Sequence, residues 1–137
     1  MRIRILAFGR GAGTPEQALT LAYLSRLSPR PELVEVTRLP FPPAAPGTLT
    51  VVLDERGENW PSAEFARRLA RWREAGVREL RFLVGPPDGF DPATRQAAQV
   101  RLAFGAQTWP HLLVRAMLAE QLWRASAIAA GHPYHRA

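Results

Sequence analysis

Apolar residues alternate with arginine over Arg2-Ile3-Arg4-Ile5-Leu6-Ala7-Phe8, the period-two pattern of a strand, and Gly9 ends it. Thr14-Pro15-Glu16-Gln17 then supplies an N-cap, a proline at the first helical position and Gln three residues after the cap. This predicts a helix from Pro15 to about Leu27. Glu32 to Thr37 reads as a second strand and Thr48 to Asp54 as a third. The proline-rich run from Leu39 to Gly47 between them is too stiff for regular structure. Ser62 is placed to cap a helix through about Ala75, with Phe65, Leu69 and Trp72 on one face and Gly76 at its far end. Leu80 to Val84 follows as a buried strand, Asp91-Pro92 opens a short helix, and Val100 to Phe104 reads as a fifth strand. His111 to about Ala130 forms a long last helix that is apolar around most of its circumference, so it must be covered on several sides.

Strands alternating with helices give an α/β class with a mostly parallel sheet and helices on both faces, whose ligands belong at the carboxyl ends of strands. Phe8-Gly9, Val84-Gly85 and Phe104-Gly105 are the candidate transitions. The 137 residues suit one domain with a real core and little room for a separate substrate domain, which favours a site shared between subunits. No stretch approaches the roughly 20 uninterrupted apolar residues that cross a bilayer, and the start of the chain reads as a strand rather than a signal peptide. Cysteine is absent, which excludes disulfides, thiolate zinc sites and a cysteine nucleophile and is compatible with a reducing compartment. The expectation is a cytoplasmic protein with no membrane partner. The net charge is +6 and all 18 basic residues are arginine, whose planar fork suits phosphates and base stacking. An arginine-rich genome would leave the same mark.

Several motifs then change the picture. Gly9-Arg10-Gly11-Ala12-Gly13-Thr14 lies between a strand and a helix, as a dinucleotide turn would. Thr14 replaces the last glycine, however, and no acidic residue closes the second strand, so an ordinary flexible turn is the better reading. Val84-Gly85-Pro86-Pro87-Asp88-Gly89-Phe90 either grips a small ligand through its backbone or simply reverses a strand. His132 and His135 lack a nearby carboxylate or cysteine and make a poor metal set, so no metal is expected. With Tyr134 and Arg136 they nevertheless give the tail a titratable base, a stacking surface and a phosphate ligand.

Val51-Val52-Leu53-Asp54 with Gly57, Ser62-Ala63-Glu64-Phe65-Ala66, Phe82 to Gly89, Thr108 to Arg115, and His132-Pro133-Tyr134-His135-Arg136 together resemble one family over nearly the whole chain. It is the SPOUT-class ribosomal RNA large subunit methyltransferase H family, the pseudouridine N3-methyltransferases. The resemblance implies a SPOUT fold with a C-terminal trefoil knot, a homodimer, a ribosomal RNA or ribosome substrate, and S-adenosylmethionine as methyl donor. It places the donor at Leu53, Gly85, Pro86 and the run Gly105, Ala106, Gln107, Thr108, Trp109 and Pro110. His135 or Tyr134 would assist deprotonation or only stack and position, Arg124 and Arg136 would bind phosphate or uracil oxygens, and His132 would shape the tail. Glu120 reads equally as Arg124's i, i+4 salt-bridge partner or as a substrate contact, and Trp109 as an adenine lid or as core packing. Two departures stand out: Pro86 replaces a usual glycine and removes an amide donor, and Leu39 to Gly47 replaces a helix. A transfer RNA methyltransferase of the same class, or a non-catalytic ribosome-binding protein that kept the fold, are the alternatives.

Overall fold

The computed structural model describes residues 1–136. Along the chain run β1 (Arg2–Phe8), α1 (Pro15–Leu24), β2 (Glu32–Val36), β3 (Thr48–Asn59), α2 (Ser62–Glu74), β4 (Glu79–Val84), α3 (Pro92–Ala97), β5 (Val100–Ala103) and α4 (His111–Ala129). The strands form one sheet in the order β2-β1-β4-β3-β5, and every pairing is parallel. Parallel order follows from the crossover segments between successive strands, which carry the chain back before it re-enters the sheet.

Register sets the two faces. Ile5, Phe82 and Val51 lie side by side in β1, β4 and β3, with no exposure, and face the helices. Each such side chain contributes about 1.5–3 kcal/mol of burial. Their neighbours Leu6, Leu83 and Val52 point the other way. On the helical face α4 packs against both α1 and α2, placing Leu118, Ala119, Leu122 and Ala125 in the core with Leu24, Phe65 and Leu69.

The opposite face departs from expectation, because among the described residues no long helix covers it. Phe41 of the proline-rich loop, Phe90 and Ala98 close it, and the short α3 has no buried residue. Boundaries also differ. Three residues beyond α1, Leu27 donates its amide to Leu24 rather than continuing the helix. Thr14 caps α1 as expected, accepting from the Gln17 amide, whereas Ser62 is the first residue of α2 and donates its hydroxyl to Gln121 Oε1 at 2.7 Å. Strand β3 continues five residues past Asp54, to Asn59. No helix is long and apolar enough to cross a membrane among the described residues.

Candidate active site

The carboxyl ends of β4 and β5 and the middle of β3, from Leu53 to Arg56, surround a cavity of about 830 Å3, within the range that small-molecule sites occupy. Leu53, Gly85, Pro86, Gly105, Gln107, Thr108, Trp109 and Pro110 line it; Ala106 is exposed on the same loop but does not reach the wall. Gly105 has φ +93° with open space where a Cβ would stand, so a non-glycine residue would be strained there. The Gly105 amide donates to Asn59 Oδ1 at 2.9 Å, and Trp109 Nε1 donates to the Phe104 carbonyl at 2.9 Å. Trp109 is 38% exposed beside the cavity, so it is not a core residue.

A bulge in β3 supplies the charged wall. Leu53 and then Glu58 both align with Leu102 of β5, so Asp54 to Gly57 loop out of the ladder. Gly57 is required because a Cβ would fall 2.6 Å from the Arg101 carbonyl carbon and oxygen. Asp54 Oδ1 accepts from the Arg56 amide at 3.0 Å, and Oδ2 pairs with Arg95 Nε at 2.7 Å, which ties α3 to the bulge. Desolvation opposes ionisation of Asp54, yet the Arg56 amide and the Arg95 guanidinium outweigh it and hold the carboxyl below the ordinary aspartate value. The Thr108 hydroxyl donates to Glu55, joining the bulge to the Gly105–Pro110 loop.

A second cluster forms where the tail folds back on α4. Glu120 Oε1 pairs with Arg124 Nη2 at 2.6 Å and accepts from the Tyr134 hydroxyl at 3.0 Å, and Arg124 Nη1 lies 3.2 Å from His135 Nδ1. The Arg124 guanidinium sits 4.8 Å over the Tyr134 ring. Trp123 backs the tail, with ring centroids 6.0 Å from Tyr134 and 6.1 Å from His132. The Tyr134 phenol is pushed up to about 12 by desolvation, then by the Tyr23 hydroxyl and the Glu120 carboxylate, so it keeps its proton near neutrality. Hydrogen bonding to Glu120 raises the Arg124 pKa further. Arg136 is exposed beyond them.

None of Glu120, Arg124, His132, Tyr134, His135 or Arg136 lines the cavity. His111 does, at the other end of α4; Glu120 and Arg124 lie nine and thirteen residues further on, about 13 and 20 Å along the axis. Within one chain, therefore, the cavity and the tail cluster do not meet.

The Gly9 turn is not the flexible loop its sequence suggests. Arg115, with no side-chain exposure, reaches from α4 to donate to the carbonyls of Phe8 and Gly9 at 3.1 Å each, and it pairs with Glu35 at 2.6 Å. The Gly11 amide donates to the same Glu35 carboxylate at 2.6 Å. The turn is held from below by a buried arginine, although Arg10, Ala12 and Gly13 themselves are exposed.

The sequence profile described as "Predicted SPOUT methyltransferase" matches residues 1–135. The chain belongs to the SPOUT methyltransferase family. Within it the chain belongs with ribosomal RNA large subunit methyltransferase H, as three relatives of that name illustrate. The one from Zymomonas mobilis is 50% identical and that from Rhizorhabdus wittichii 52%, each alignment spanning 99% of both chains. The one from Sphingopyxis alaskensis is 50% identical over 99% of this chain and 97% of its own.

In this SPOUT methyltransferase, sequence reasoning missed Glu55, Arg56, Arg95 and His111 around the cavity, and read Phe90 only as the end of a loop that either grips a ligand through its backbone or reverses a strand. A charged run after a strand carries no sign of a bulge, except that Gly57 stands within it. Among the described residues no group of three or more His, Cys, Asp or Glu is placed to hold a metal ion.

Proposed function

We propose that this single-domain protein methylates N3 of a pseudouridine in 23S ribosomal RNA, on the large subunit or assembled ribosome in the cytoplasm, with S-adenosylmethionine as donor. The observation that carries the reading is the cavity between β3, β4 and β5, in a chain about half identical from end to end to large-subunit methyltransferases. The cavity's size, its mixed apolar and backbone lining and its open Gly105 side fit that donor; Pro86 can offer only a carbonyl. Bound there, S-adenosylmethionine supplies an electrophilic methyl group.

The remaining chemistry falls to the chain. Leu53, Gly85 and the Gly105–Pro110 loop hold the donor, with Trp109 as a lid over it. N3 of pseudouridine is a weak acid, so its proton must leave as the bond forms. His135 is the better acceptor, since Tyr134 holds its own proton and hydrogen-bonds to Glu120; the His135 Nδ1 becomes available when Arg124 turns from it to the substrate. Arg124 and Arg136 bind phosphate or the developing negative charge on the uracil oxygens, and His132 fixes the tail against Trp123.

Because the cavity and the tail cluster are apart in one chain, the working unit is read as a homodimer in which the tail of one subunit reaches the cavity of the other. A C-terminal trefoil knot through the cavity loops belongs to the same reading. The test is transfer of labelled methyl from S-adenosylmethionine to ribosomes from a strain lacking the gene, followed by nucleoside analysis. Labelled N3-methylpseudouridine is expected; donor binding without transfer to any ribosomal RNA would overturn the assignment. In single-turnover reactions His135→Ala is expected to lower the rate about 100-fold, with the deficit narrowing at high pH.

A further inference from the structure

The sheet face away from the long helices has a small core of its own, and it touches the cavity. Phe41 and Phe90, each 8% exposed, close over Leu6, Val52 and Leu83 with ring centroids 5.9 Å apart. Phe41 belongs to the proline-rich Leu39 to Gly47 loop, and that loop is fastened from below. The Arg81 guanidinium, itself 8% exposed, donates to the Pro42 carbonyl and to the Thr50 hydroxyl. A guanidinium taken out of water needs such partners, so the loop cannot lift without stranding a charge.

Phe90 is the link to the site. Its ring lies so close to Gly85 that a Cβ on that glycine would fall 2.8 Å from its Cζ, and both residues line the cavity. The ring therefore packs against both the Gly85 backbone and Phe41. Removing Phe41 leaves a void behind Phe90, and protein interiors relax into voids only in part. Any such relaxation moves Phe90 off Gly85 and reshapes one wall of the cavity.

We infer that Phe41 is a positioning residue for the methyl-donor site, acting through Phe90 on Gly85 although it does not itself line the cavity. The inference rests on the donor reading above. Calorimetric titration of the purified protein with S-adenosylmethionine tests it, with Leu69→Ala as the comparison, since Leu69 is equally buried but lies on the helical face. Phe41→Ala is expected to weaken donor binding about tenfold and Phe41→Leu about threefold, because small displacements at a positioning contact are costly. Leu69→Ala, at a comparable loss of melting temperature, is expected to stay within about twofold of wild type. Equal donor affinity in Phe41→Ala and Leu69→Ala would overturn the inference; should Phe41→Ala not fold, wild-type affinity in Phe41→Leu would do the same. If the wild type itself binds no donor, the donor reading falls and this inference with it, an outcome distinct from wild-type binding that Phe41 variants leave unchanged.

Discussion

Arg115 lies on α4 without side-chain exposure, and its guanidinium gathers Glu35, Gln17 and two carbonyls of the β1–α1 turn. Substituting Arg115→Ala strands those acceptors, and breaking a buried pair in this way costs about 3–5 kcal/mol, with the low end favoured because Glu35 is 29% exposed. Urea denaturation measures it; a loss under about 1 kcal/mol would mean the turn is held by other contacts. Glu35 adds a pH signature. The Arg115 hydrogen bond, chiefly, holds its carboxyl below 4.5, and a folded value below the unfolded one stabilises the protein above that pH. That contribution is lost as pH falls through the folded value. Glu35→Gln is therefore expected to lower stability near neutrality and to flatten the loss of stability as pH falls below the ordinary glutamate value, measured by urea midpoints across the acid range.

Helix α4 was legible as a long apolar cylinder, and the structure accounts for two of its sides, against α1 and α2. A third side borders a groove of about 290 Å3 lined by Leu19, Tyr23, Phe104, Leu113 and Met117. If a second copy covers that groove, Leu19→Glu will yield monomers in light scattering while leaving the melting temperature of the monomer fold almost unchanged, since Leu19 is 46% exposed. A dimer unaffected by the glutamate would place the interface elsewhere. Alternation marked β1, side-chain caps marked α1 and α3, and apolar runs marked β4 and α4, because those signals are local. What escaped the sequence is long-range: Arg115 meets Phe8 across 107 positions, Phe41 replaces a covering helix by packing on Phe90, and β3 resumes after a bulge in charged residues. The cavity-lining residues were named through the family resemblance, whereas glycine and proline after Val84 and Phe104 marked only that the backbone turns there. The pairing of Asp54 with Arg95, 41 residues away, left no mark.

At the scale of the molecule, a shared site makes a quantitative demand. Mixing His135→Ala subunits with Gly85→Val subunits, whose added side chain collides with the Phe90 ring and deforms the cavity wall, should restore about one quarter of wild-type methyl transfer after subunit exchange. Random pairing gives about half heterodimers, each with one intact site. Restoration absent despite proven exchange would mean each chain completes its own site. The sheet order carries a last consequence. Strand β4 is central, paired on both sides and almost wholly buried, and its end at Val84–Gly85 forms part of the cavity, whereas the β3 bulge and the Gly105–Pro110 loop leave the ladder. In hydrogen–deuterium exchange the amides of Phe82 to Val84 should then be among the slowest in the protein, and those of residues 55–57 and 106–109 among the fastest. Donor would slow the second group and leave the first untouched, so occupancy could be read as a change in labelling rate on two short peptides without any RNA present.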